Sequence, residues 1–334
     1  MVGVKLLPSS TTGVPDARQA TFVLTGVTLP IANGIKRALD ADVATVSFGS
    51  AADSGLAIVE NTGALHDPMI KDRLGLIPIH FDAAEIDAFR REAYVFELHA
   101  KFPTSAQSSA PAGGLMEVTS RDFRVADEDG KDLGVKLAQR LFPTDPVTGD
   151  GILITQLRRG ESLHVKGHAA KASGRTHACF CPVSRLALVY DVDDKDEPTT
   201  FRLTLRSECA MTPKELVFRA LQSLRERVAG VATAVSNGDL PLMEVVYESG
   251  VKLHEIVFAK GQDSTLGEIL QVHLLKVAPA FAGYDIPHNL DERMVFRFDA
   301  GGKGSGSSSS QALSVFARAT KGAIDEISAV MVAL

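Results

Sequence analysis

The chain has no tryptophan and only three cysteines in 334 residues. Three cysteines, two of them in the Cys-x-Cys of Cys179 and Cys181, cannot build the disulfide framework of a small secreted domain. No stretch approaches the roughly 18 consecutive apolar residues of a membrane span, and the opening segment MVGVKLLPSSTTGVPDARQ lacks a signal peptide's apolar core. An intracellular, reducing compartment is expected. Basic charge is not in excess: 35 Lys and Arg against 41 Asp and Glu give −6, which argues against a broad cationic face for non-specific nucleic-acid binding. There is no nucleophile elbow, no HExxH and no Gly-Lys-Ser/Thr phosphate loop, and GGKGSGSSSS at 301–310 reads as a flexible linker. What the chain does have is 45% hydrophobic residues with 16 Phe, enough for two or three domains with aliphatic and phenylalanine cores.

The organising stretch is 21–46, TFVLTGVTLPIANGIKRALDADVATV, read as strand, helix and a second extended piece. Pro30 suits a first helical turn and Thr28 a cap. Ile31, Ile35, Ala38 and Leu39 then form one apolar stripe, with Asn33, Lys36, Arg37 and Asp40 facing elsewhere. So short a helix needs a partner to cover that stripe. Residues 1–20 read as a loose arm. A helical turn ends at Gly75 and Pro78, the alternation from Tyr94 to Ala100 predicts a strand, and 103–114 predicts a loop. Val118–Val125, Ile152–Leu157 and Ser162–Ala170 read as strands.

Phe201–Ser207 alternates as a strand, and Thr212-Pro213-Lys214-Glu215 opens a long helix carrying Val217, Leu221, Leu224 and Val228. Asn237-Gly238 ends it, and 237–251 reads as a linker. The pattern then restarts. LHEIVFAK (253–260) is a strand; Ser264 or Thr265 caps a helix bearing Leu266, Ile269, Leu270 and Leu274; FAGYDIP is a turn; Met294–Phe298 is a strand. The last helix places Leu313, Ala317, Thr320, Ile324, Ile327, Met331 and Leu334 on one seam suited to lengthwise packing. The order strand, short helix, insertion, strand, long helix thus occurs over 21–235 and again over 253–334. An α+β fold follows, with two like units in one chain, each covering the other's helices. The divisions expected are 21–47 with 201–236 for the first unit, 48–200 for an inserted β-rich subdomain, and 252–334 for the second unit.

Four segments carry a family resemblance. Residues 21–46, ENTGALHDPMIKDRLGLIPI (60–79), GHAAKASGRTHACFCP (167–182) and STLGEILQVHLLKVAPAFAGYDIPHNLDERMVFRF (264–298) resemble, in order, signatures of the α-like subunits of cellular, multisubunit DNA-directed RNA polymerase. The chain looks like the large α-like subunit (third-subunit type, archaeal D type) joined to the small one (eleventh-subunit type, archaeal L type). The resemblance implies a non-catalytic platform without cofactors, pairing within the chain through Ile31, Ile35, Leu39, Val217, Leu221, Leu224, Leu266, Leu270, Leu313, Ile324 and Ile327. It implies that Asn33, Lys36 and Arg37 face the second-largest subunit, and through it the largest. The loop Arg73, Leu74, Gly75, Leu76, Ile77 and Pro78 would receive small zinc-bearing subunits, and DNA would be met only through the assembled complex. Lys36 stands where the family usually has arginine, and 82–150 lacks the cysteines some members carry there. Fusion of the two partners is associated with large DNA viruses, which implies a viral polymerase working in a cytoplasmic factory, the virion or the nucleus.

The rival reading is a zinc-dependent enzyme or binding protein built on His164, His168, His177, Cys179 and Cys181, although their spacing matches no common zinc module. The acidic run Asp191, Asp193, Asp194, Asp196 and Glu197 lacks EF-hand spacing and reads as a solvated turn.

Overall fold

The computed structural model describes residues 2–8, 16–50, 54–104, 114–240, 242–246, 252–258, 263–278, 280–288, 293–300 and 309–334. Two strands, β1 (Gly3–Pro8) and β2 (Gln19–Thr25), lead into helix α1 (Leu29–Ala41) and strand β3 (Ala44–Ser47). Next come β4 (Leu56–Asn61), α2 (Asp67–Gly75), α3 (Ala83–Asp87), β5 (Val95–Lys101), β6 (Met116–Thr119), β7 (Phe123–Ala126) and α4 (Val135–Leu141). Strands β8 (Leu153–Leu157), β9 (Ser162–Gly167), β10 (Ala170–Ser173), β11 (Val183–Val192) and β12 (Pro198–Ser207) precede the long helix α5 (Pro213–Asn237). The chain finishes with β13 (Leu242–Val246), β14 (Lys252–Phe258), α6 (Ser264–Val277), β15 (Ala282–Asp285), β16 (Met294–Phe298) and α7 (Ser309–Ala333).

These elements form two compact units. One comprises 1–39, 185–206 and 213–334; the other comprises 40–184 and 207–212. The first holds two four-stranded sheets, ordered β1-β2-β12-β11 and β13-β14-β16-β15. Taken in chain order within each set, both have their first strand at one edge and their third at the other, so the two sheets share one topology. In each set a helix follows the second strand (α1, α6) and a 25-residue helix follows the fourth (α5, α7). The repeat expected from sequence is therefore present and larger than expected.

Several strands, β4 and β11 among them, lie where the sequence predicts none. Gly3–Pro8 pairs along its whole length with β2 rather than forming an arm. Leu242–Val246 pairs with β14 inside the segment read as a linker, and Ala282–Asp285 pairs with β16 where a turn is expected. Each is an edge strand. The expected loops at 103–114 and 301–310 fall largely outside the described residues.

The second unit is mostly β. It contains the sheet β4-β9-β5-β7 and two strand pairs, β10-β3 and β6-β8. The single strand expected over 118–125 is two strands in different sheets, split by a helical turn at Ser120–Asp122 in which Thr119 and Asp122 cap each other. Its core is aromatic: Phe48 stacks on Phe123 and meets Phe96 edge-on, both with centroids 5.2 Å apart.

Candidate pairing and assembly surfaces

Helix α1 buries Ile31, Ala32, Gly34, Ile35, Ala38 and Leu39. Its covering comes from both repeats. A Cβ built on Gly34 would stand 3.1 Å from Ile269 and 3.3 Å from Thr265 of α6, and 3.4 Å from Leu224 of α5. Glycine here is a matter of close approach, since any side chain would press into two helices at once. Val217, Leu221, Leu224, Leu266, Leu270 and Ile327 are also buried, and α7 packs against both α5 and α6.

The seam drawn on α7 from spacing is displaced. The buried face is Ala312, Val315, Phe316, Ala319, Thr320, Ala323, Ile327 and Val330. Leu313 is 38% exposed and Ile324 half-buried. Leu313 lines the lip of a shallow groove with Ala232 and Val235 of α5. The seven-residue pattern predicted for the seam runs across a face whose true stripe also contains small alanines, which a count of large apolar residues passes over.

Polar contacts fasten the same junction. Glu326 of α7 accepts the Thr28 backbone N–H at 2.6 Å and lies 3.1 Å from His273 Nε2 and 3.2 Å from Lys276 Nζ. Thr28 precedes α1, and its carbonyl accepts the first helical bond from Ala32, but its hydroxyl caps none of the helix amides. Glu326 instead takes the Thr28 amide, the part a third-position glutamate plays in a capping box, from 298 residues away. The His273 ring also reaches the Ile269 carbonyl through Nδ1 at 2.8 Å. Both ring nitrogens therefore face oxygen atoms, one the Ile269 carbonyl and the other the Glu326 carboxylate. Burial alone would raise the Glu326 pKa; the bonds from His273 and Thr28, with Lys276 nearby, hold it down at about 2.

The start of α6 is gripped similarly. Its cap is Asp263, not Ser264 or Thr265: the carboxylate accepts the Thr265 and Leu266 amides and pairs with Arg227 of α5 at 2.8 Å. Arg37 of α1 donates to the Ser264 hydroxyl at 3.0 Å. Arg37 is thus occupied within the chain, while Asn33 is exposed and Lys36 half-exposed on the same helix. Of the expected partner loop, Leu74, Gly75 and Ile77 are buried and serve packing. A Cβ on Gly75 would run into the Gly49 carbonyl oxygen. Arg73 and Leu76, the latter 71% exposed, are the residues of this turn most open to a partner, with Pro78 half-buried.

The histidine and cysteine cluster does not assemble. His164 pairs with Glu97 at 2.7 Å, His168 Nδ1 meets the Tyr94 carbonyl at 2.9 Å, and His177 accepts the Cys179 amide at 3.2 Å. Burial pushes the Cys179 thiol up, and burial with the neighbouring Asp40 carries Cys181 to about 11. Among the described residues no three His, Cys, Asp or Glu side chains converge on a point that could hold a metal ion.

Gly34, Arg227, Asp263, His273 and Glu326 were not singled out by sequence reasoning as pairing residues. Their one local signal is the Asp-Ser-Thr before α6, which contains a possible cap; the rest depends on residues far apart in sequence.

The family described as RNA polymerase Rpb3/Rpb11 dimerisation domain matches this chain over 21–228 and again over 255–332. The chain is 28% identical over 181 residues to DNA-directed RNA polymerases II, IV and V subunit 3 of Arabidopsis thaliana, covering 52% of this chain and 54% of that protein. It is 22% identical over 293 residues to DNA-directed RNA polymerase II subunit RPB3 of Schizosaccharomyces pombe (73% of this chain, 94% of that one). Similarity to DNA-directed RNA polymerase subunit Rpo3 of Halobacterium salinarum is 28% over 246 residues, 66% of this chain and 94% of the archaeal one. The chain thus spans about half the length of the plant relative and nearly all of the yeast and archaeal ones.

Proposed function

Because the chain belongs to the RNA polymerase Rpb3/Rpb11 dimerisation-domain family, we propose that it is a non-catalytic assembly subunit with the large and small α-like partners joined in one polypeptide. The observation that carries this reading is the pair of four-stranded sheets with one topology, each with its own short and long helix. Joining has a physical rationale, since a tether turns bimolecular pairing into an intramolecular step at roughly millimolar effective concentration.

The assembled pair would dock the second-largest polymerase subunit through the α1 face bearing Asn33 and Lys36, with Arg37 holding α1 to α6. Exposed charges beside an apolar helix orient docking more than they strengthen it. The turn with Arg73, Leu76 and Pro78 would take small zinc-bearing subunits, and the largest subunit and DNA would be reached through the complex. From the association of such fusions with large DNA viruses we infer a viral origin, with work in a viral factory, the virion or the nucleus. The test is to tag the chain in its native source and weigh what co-purifies. Stoichiometric recovery with two large polymerase subunits is expected; recovery without them would overturn the reading.

A further inference from the structure

Among the described residues the first unit has four sheet edges: β1, β11, β13 and β15. Proteins protect such edges with short strands, charges or proline, because an unpaired row of N–H and C=O groups invites another strand. Strand β15 is four residues long and β13 five, and β1 carries Lys5 and Pro8. β11 is different. It runs ten residues, and its last seven, LALVYDV, carry a single charge. That charge, Asp191, is spent within the hairpin on a two-pronged pair with Arg202 of β12.

Apolar exposure grows along this strand. Leu186 and Leu188 are half-buried, while Val189, Tyr190 and Val192 are 58%, 47% and 50% exposed. Tyr190 still reaches the buried Phe201 ring at 6.1 Å, so beyond this point the strand outruns its cover. In the adjoining turn Asp193 spends its carboxylate on the amides of Lys195 and Glu197. Asp194, Asp196 and Glu197 remain exposed, so the exposed strand ends in negative charge.

We propose that the β11 edge is a strand-addition site. Its occupant is an extended segment of another polymerase subunit, with apolar side chains against Tyr190 and Val192 and Lys or Arg beside the 194–197 turn. Main-chain pairing supplies the affinity in this mode and alternate side chains the selectivity; the acidic turn selects a basic segment. This rests on the assembly-subunit reading above.

The test is hydrogen–deuterium exchange on amides 186–192, in the purified chain and in the complex recovered through it. We expect these amides to slow by at least about tenfold in the complex. The double variant Val189→Lys, Val192→Lys, placed at exposed positions, is expected to recover a complex lacking one subunit, with the chain's melting temperature unchanged. If wild type recovers the full complex but 186–192 exchange as fast as in the free chain, strand addition is wrong and the assembly reading stands. If no polymerase subunits are recovered, both fall. Protection of these amides in the purified chain that rises with its own concentration would make the occupant a second copy and overturn the proposal.

Discussion

Glu326 illustrates how much one side chain can decide. It is 13% exposed, bonded to a buried histidine and to the amide that opens another helix. Removing the carboxylate leaves the Thr28 amide and the buried His273 ring without this acceptor, at about 1–3 kcal/mol for each group left unsatisfied. Glu326→Ala should therefore lower the melting temperature sharply. The pH dependence has a definite sign. The carboxyl titrates near 4.5 when unfolded and at about 2 when folded, so its stabilising contribution is complete above pH 4.5 and is lost as pH falls towards 2. That contribution is on the order of 3 kcal/mol. Urea unfolding of wild type and Glu326→Gln should differ by a constant amount from pH 7 to 5, with the difference shrinking below 4.5; a pH-independent difference would contradict the ion pair. Gly34 is decided by space. Gly34→Leu should destabilise by about 1–3 kcal/mol through overpacking against Ile269 and Leu224, read in the same unfolding assay. Neither effect is visible in local sequence, because the groups involved are contributed by segments hundreds of residues apart.

Among the elements, the helices were the most legible. The α1 stripe of Ile31, Ile35 and Leu39 and the α5 stripe of Val217, Leu221 and Leu224 are buried as their spacing predicts, because a 3.6-residue period survives whatever covers it. On α7 the phase slipped. Ile327→Asp, at a fully buried site, should leave the protein insoluble, whereas Leu313→Asp on the groove lip should cost under about 1 kcal/mol. Equal damage from both would restore the seam drawn from spacing. The α6 cap is testable too. Asp263→Ala removes the carboxylate that accepts two backbone amides and pairs with Arg227, and a loss of about 1–2 kcal/mol in denaturant unfolding is expected. Strands fared worse in one consistent way: β1, β4, β11, β13 and β15 were missed, and all are edges. An edge strand is paired on one side only, so it needs neither strong β-propensity nor a clean alternation.

At the scale of the molecule, the two repeats make a testable pair. Expressed alone, pieces 1–239 and 240–334 would each leave helix faces uncovered and should be insoluble. Expressed together they should recover one soluble complex, measured by co-purification. Soluble, monomeric pieces would separate the repeats into independent domains. The sequence by itself determined the α+β class, the recurrence of one unit and the family resemblance, because each is written in short-range periods and motifs. Tertiary structure alone decided which face of α7 is inside, that a distant glutamate takes the amide before α1, and that Arg37 is engaged by Ser264. It also decided that, among the described residues, β11 lies at the edge of its sheet. Those depend on which surfaces meet in space, and a chain's local pattern carries no record of its distant neighbours.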